Sequence, residues 1–142
     1  MIQSCILLGT LGVHSLEDIR EKKITVNITL FSGIIGIVMH LLFQNQSIYE
    51  MLAGMLPGVG ILLLSRLTKG KIGMGDGIVF MLTGLYLGFG KNMMLMFLSF
   101  VLAGNLGLFL LIKGGGRGDE KMPLIPFLFL GYSLMIISGI QI

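Results

Sequence analysis

Two aspartates carry the chemistry this chain could do. Asp76 closes the run Gly73-Met74-Gly75-Asp76, a carboxylate in a glycine-rich, apolar surround where a hydrophobic stretch begins. Asp18 stands at the end of the first hydrophobic stretch. An acid at or inside a bilayer boundary is costly and marks a functional site by default. As a helix, the stretch from Asp76 to the next polar break, Gly90-Lys91-Asn92, covers roughly 20 Å, short of the ~30 Å hydrocarbon core. Either the helix starts nearer Lys71 or Asp76 lies below the membrane surface. Two carboxylates brought close together cannot both ionise cheaply, so one keeps its proton and the other is charged. The charged one takes a proton from water and the neutral one donates to a carbonyl oxygen. That is aspartic-protease chemistry, and it uses neither metal nor cofactor. Gly73, Gly75 and Gly77 would let backbone approach a substrate strand closely. Each acid also has a plainer reading. Asp18, beside Glu17 and the bases Arg20, Lys22 and Lys23, reads as a solvated loop residue, and Asp76 as a helix cap.

The elements that must position these acids are hydrophobic. Of 142 residues, 54% are hydrophobic and 12% charged, with a mean hydropathy of +0.94. That balance fits a polytopic membrane protein and excludes an ordinary soluble globule. The 22 glycines and 11 methionines suit close helix packing in lipid. The net charge of +3 is spread over short loops and gives no surface for nucleic acid. The lone cysteine, Cys5, allows no disulfide within the chain and no thiolate zinc site. The N-terminus lacks a basic region and a small-residue cleavage site, so it reads as a retained helix.

Six spans are expected, in an all-α, single membrane-embedded domain over residues 1–142. They run at about 2–16, 24–43, 48–67, 73–89, 93–112 and 122–140. Pro57, in Gly54-Met55-Leu56-Pro57-Gly58, is expected to kink the third or to allow close contact. Nine of the ten Lys and Arg residues fall in the first, third and fifth loops, and only Lys91 lies opposite. The positive-inside rule then puts those loops in the cytoplasm and both termini outside. Asp18 and Asp76 share the cytoplasmic side.

Three segments now carry a resemblance. Asp18-Ile19-Arg20-Glu21-Lys22-Lys23-Ile24-Thr25-Val26-Asn27 resembles the first aspartate motif of type IV prepilin peptidases. Gly73-Met74-Gly75-Asp76 is similar to their second, the G-x-G-D motif shared with presenilin-type intramembrane proteases. Pro123-Leu124-Ile125-Pro126-Phe127 resembles the proline-rich start of their last helix. The resemblance covers nearly the whole chain. It implies a membrane aspartic endopeptidase that removes the basic leader of type IV prepilin-like proteins at the cytoplasmic face of the inner membrane. Asp18 and Asp76 would be its catalytic pair, with Gly73, Gly75, Gly77, Pro123 and Pro126 as motif support. Thr25 departs from the family's common proline, and Gly77 from a common polar or basic residue. No cysteine-rich methyltransferase domain is present, so the likeness is to the short form found in Tad/Flp-type pilus systems and archaea, and methylation is not implied.

Two readings from other classes stand beside this one. A small ion- or proton-coupled transporter would use Asp76 as a protonation site. A non-catalytic pilus assembly factor would need neither carboxylate. Among the remaining polar residues, His14 lies one turn before Asp18 and reads as packed or hydrogen-bonded. Glu17 is expected to tolerate glutamine. Glu50, Asp119 and Glu120 read as solvated.

Overall fold

A computed structural model of the chain describes residues 2–21, 23–43, 47–69, 73–113 and 123–139. These residues form five helices: α1 (Ile2–Glu21), α2 (Val26–Phe43), α3 (Ile48–Leu67), α4 (Met74–Ile112) and α5 (Ile125–Ile137). α2, α3 and α4 are long and apolar enough to cross a membrane. The chain is therefore an all-helical membrane protein.

The count of five corrects the expected six. The fourth and fifth spans are joined in one element, α4, with no loop at Gly90-Lys91-Asn92: the break falls two residues earlier, at Gly88, and Asn92 is absorbed within the fold. Asn92 is fully buried. Its Oδ1 accepts from the Thr83 hydroxyl at 2.7 Å. Its Nδ2 donates to the carbonyls of Gly54 at 2.8 Å and Phe80 at 3.1 Å. The backbone leaves helical conformation instead at Gly88, with φ 73° and ψ 179°, values open to glycine and closed to most side chains. α4 is thus bent into two arms. The Phe80 and Phe100 ring centroids lie 6.1 Å apart, whereas twenty residues of straight helix span about 30 Å. The arms lie side by side.

α3 packs on the first arm of α4 backbone to backbone. A Cβ at Gly84 would collide with the Gly54 carbonyl, and one at Gly58 with the Met81 amide and the Gly77 carbonyl. Small residues permit this approach, which in lipid must come from packing and hydrogen bonds. The glycines around Pro57 make the expected close contact, and α3 is assigned as one helix through Pro57. Leu7, Leu11, Val79, Phe80, Leu95, Ile125, Leu128 and Tyr132 fill the interior between α1, α4 and α5. The outer side of α2 exposes Leu30, Phe31, Ile34, Leu41 and Leu42, as a lipid-facing helix does. Midway through the bundle the Tyr86 hydroxyl donates to the Ser32 carbonyl at 2.7 Å, and Ser32 Oγ lies 3.0 Å from Thr10 Oγ1. These bonds tie α1, α2 and α4 together.

Candidate active site

α1 continues past its last apolar residue to Glu21, so Asp18 is helical and not in a loop. It is buried, with 9% of its surface exposed. The plain reading of a solvated acid does not hold for it. Its Oδ2 accepts the backbone N–H of Ile125 at 3.2 Å, 107 positions later in the chain. Ile125 opens α5, whose N-cap residue, Leu124, supplies no side-chain cap. The first N–H groups of a helix lack internal partners and carry partial positive charge. Asp18 satisfies one of them from another helix. Pro126 lies in the same first turn, where a missing N–H costs nothing. Pro123 stands just ahead of the helix.

Asp76 lies in the first turn of α4, behind the N-cap Gly73. Its carboxylate folds back over Gly73, where a Cβ would sit 2.9 Å from Oδ2. Asp76 is partly buried, and Asp18 is close enough to act on it electrostatically. The two carboxylates thus share one end of the bundle, and any negative charge on one disfavours charge on the other.

The three motif glycines do different work. Gly73 leaves room for the Asp76 carboxylate. Gly75 faces Ile24, whose Cγ1 would be 3.2 Å from a Cβ there. Gly77 faces Leu62 of α3, with a Cβ placed 2.7 Å from its Cγ. Gly75 and Gly77 therefore meet the protein's own chain and not an open groove. They position the Asp76 turn between the α1–α2 turn and α3.

A polar cluster that the sequence reading left in the background adjoins Asp18. Glu17 Oε1 accepts from the Thr25 hydroxyl at 2.6 Å, and Oε2 accepts from the Thr25 N–H at 3.0 Å. His14, fully buried, puts Nδ1 3.0 Å from Glu17 Oε2 and Nε2 2.9 Å from Thr29 Oγ1. A carboxylate only accepts, so Nδ1 carries the proton, and in the neutral ring Nε2 accepts from the Thr29 hydroxyl. The Thr25 hydroxyl, the Thr25 amide and the His14 ring together hold the Glu17 carboxyl below its ordinary pKa. Glu17, expected to tolerate glutamine, thus has partners at both carboxylate oxygens. The only local signal was spacing: His14 and Glu17 at i, i+3 and Thr25 and Thr29 at i, i+4 share helix faces. Glu50 is exposed in the first turn of α3. Asp119 and Glu120 lie outside the described residues. No three His, Cys, Asp or Glu side chains gather as a metal site among the described residues.

The chain matches the model of the type IV leader peptidase family over residues 5–108. No curated protein and no solved structure matches it. The matched stretch takes in Asp18, Asp76 and the three glycines and ends before Pro123 and Pro126. It covers well over half the chain, and so the chain belongs to the type IV leader peptidase family.

Proposed function

We propose that this protein is a membrane aspartic endopeptidase that cleaves the leader from type IV prepilin-like proteins, with Asp18 and Asp76 as its catalytic pair. Family membership implies protease activity of the leader-peptidase type. The observation that carries the finer reading is the convergence of the two acids. They come from distant parts of the chain, yet Asp18 accepts the first N–H of α5, and Ile24, just past the end of its helix, packs on Gly75 beside Asp76.

In this reading the pair shares one proton. The ionised carboxylate takes a proton from water as the water oxygen attacks the scissile carbonyl carbon. The neutral carboxyl protonates the carbonyl oxygen. As the diol collapses and the C–N bond breaks, the proton taken from water passes to the leaving nitrogen, and a diol hydroxyl returns a proton to the carboxylate that had protonated the carbonyl, which restores the pair. The helix starts and glycine contacts hold both groups on rigid elements, so little reorganisation is needed at the moment of reaction.

The placement of charge supports a cytoplasmic site in the inner membrane, with both termini outside. With the two arms of α4 taken as separate crossings, nine of the ten basic residues fall in the segments joining α1 to α2, α3 to α4 and α4 to α5 or in the helix ends beside them. The Ile24–Gly75, Gly77–Leu62 and Asp18–Ile125 contacts gather the ends of those segments on the aspartate side of the bundle. A cysteine placed by Thr68→Cys in a Cys5→Ser background should therefore react with a membrane-impermeant thiol reagent only after the cells are opened. Labelling of intact cells would overturn this orientation.

The activity test is co-expression with a prepilin, scored by the size shift on a gel. Wild-type protein should release the leader, and Asp18→Asn and Asp76→Asn should each leave the prepilin intact. Dependence of transport on Asp76 alone would favour the transporter reading. Pilus assembly that proceeds with both acids replaced would favour the assembly factor.

A further inference from the structure

The α1–α2 turn is fastened by hydrogen bonds that the aspartate pair does not use. The Thr25 carbonyl accepts from the amides of Ile28 at 3.0 Å and Thr29 at 3.3 Å, so Thr25 starts α2. A threonine in that position ordinarily turns its hydroxyl oxygen toward the first N–H groups of its own helix. Here its hydroxyl proton goes to Glu17 Oε1 and its own N–H to Glu17 Oε2. One carboxylate on α1 thus grips the start of α2 at two atoms. The buried His14 ring braces that carboxylate from below and is itself held by Thr29. Burying an imidazole this deeply is costly unless both nitrogens are paired, and both are.

What the grip holds lies against the second acid. Ile24, the residue before Thr25, packs on Gly75, the residue before Asp76. Glu17 is the residue before Asp18. The fastening therefore acts on the chain neighbours of both carboxylates. From this geometry we infer that His14, Glu17 and Thr25 are positioning residues: they lock the α1–α2 turn onto the Gly73–Asp76 turn and thereby set the separation of Asp18 and Asp76. The inference rests on the proposed catalytic role of that pair. It also gives Thr25 a reason to be threonine, because a proline there has neither the N–H nor the hydroxyl that Glu17 binds.

The test has two readouts on the full chain in lipid vesicles. The first is cleavage of a prepilin by the purified protein. A misplacement of about 1 Å can cost on the order of a hundredfold in rate. Glu17→Ala and Thr25→Val should each lower kcat by about that factor and change KM by less than about threefold. The double variant should be no worse than either single variant, since both remove one unit. Thr25→Ser, which keeps the N–H and the hydroxyl, should restore the wild-type rate. Glu17→Gln, which keeps the side-chain volume and one acceptor oxygen, guards against simple misfolding and should fall in between. Multiplicative losses in the double variant, a loss confined to KM, or full activity in Glu17→Gln would overturn the inference.

The second readout needs no protease activity. The pair Ile24→Cys and Gly75→Cys in a Cys5→Ser background should form a disulfide on mild oxidation, because a Cβ at Gly75 would lie 3.2 Å from Ile24 Cγ1, close to where the new sulfur would stand. Adding Glu17→Ala should slow its formation by at least about tenfold as the turn loosens. An unchanged rate would overturn the latch. A wild-type chain that cleaves no prepilin would instead sink the protease reading and leave the cross-link rate to decide the latch.

Discussion

The two ends of the bundle handle buried polar groups in opposite ways. At the Gly88 end, Asn92 is neutral and fully enclosed, and three hydrogen bonds join it to α3 and to the first arm of α4. Backbone contact at Gly54 and Gly84 seals that end. At the aspartate end the polar groups are acids, one buried and one partly open, set near each other and near a helix N-terminus. A satisfied amide in a low-dielectric interior strengthens the packing it belongs to. Two neighbouring carboxylates weaken it, since charge on each opposes charge on the other. The first arrangement serves the fold, and in the proposed function the second serves the chemistry, which needs a proton that moves.

If that contrast is right, substitutions at the two ends should fail differently. Asp18→Asn and Asp76→Asn should have the largest effect on cleavage, a loss of at least about a hundredfold, because asparagine can be neither general base nor proton-sharing acid. Both variants should still reach the membrane and elute as folded protein. Unfolding of Asp76→Asn in mild detergent would break the contrast, since it would make the acid a structural group.

Gly75→Leu comes next. It removes no chemical group, but it drives a bulky side chain into Ile24. Cleavage should fall by on the order of a hundredfold through displacement of the Asp76 turn. The paired substitution Ile24→Ala with Gly75→Leu should recover part of that loss; no recovery would mean that the Ile24 contact is not what sets the turn.

Asn92→Leu should show the reverse pattern. The Gly54 and Phe80 carbonyls lose the Asn92 donor and the Thr83 hydroxyl keeps only the Phe80 carbonyl as acceptor, so stability in a denaturant titration should drop by about 1–3 kcal/mol. Cleavage by the fraction that remains folded should be unchanged. A kcat effect without a stability effect would erase the distinction between the two ends.

The smallest expected effect is a pH dependence at the α1–α2 turn. Glu17 is held below its ordinary pKa by Thr25 and His14. A carboxyl lowered in the folded state adds stability that is present above its unfolded pKa and is lost as the pH falls through its folded pKa. That stability should therefore fade below the ordinary glutamate range. The slope should be shallow, because a quarter of the Glu17 side chain is exposed and solvent screens it. Thermal unfolding of wild type and Glu17→Gln between pH 6 and 3 checks this. Parallel curves would mean that the hydrogen bonds to Thr25 do not depend on charge.

Much of this molecule was legible in one dimension. Long apolar runs announce membrane helices because hydrophobicity acts on each residue locally, and the bounds of α3 were read directly from them. The isolated acids at the ends of apolar runs, with glycines at alternate positions before Asp76, are a local pattern from which the paired-carboxylate proposal can be read. The distribution of Lys and Arg predicts that both acids face one side of the membrane. Other features depended on partners far away in the chain. The polar residues 90–92 looked like a break, but only the position of Gly54 and Thr83 shows that Asn92 is satisfied inside the bundle. The turn at Gly88 is a backbone choice that many of the 22 glycines could have made. The Ile125 amide, the Ile24–Gly75 contact and the grip of Glu17 on Thr25 arise where separate helices meet. A local pattern tells which face of a helix seeks burial, and only the packed bundle decides what that face will touch.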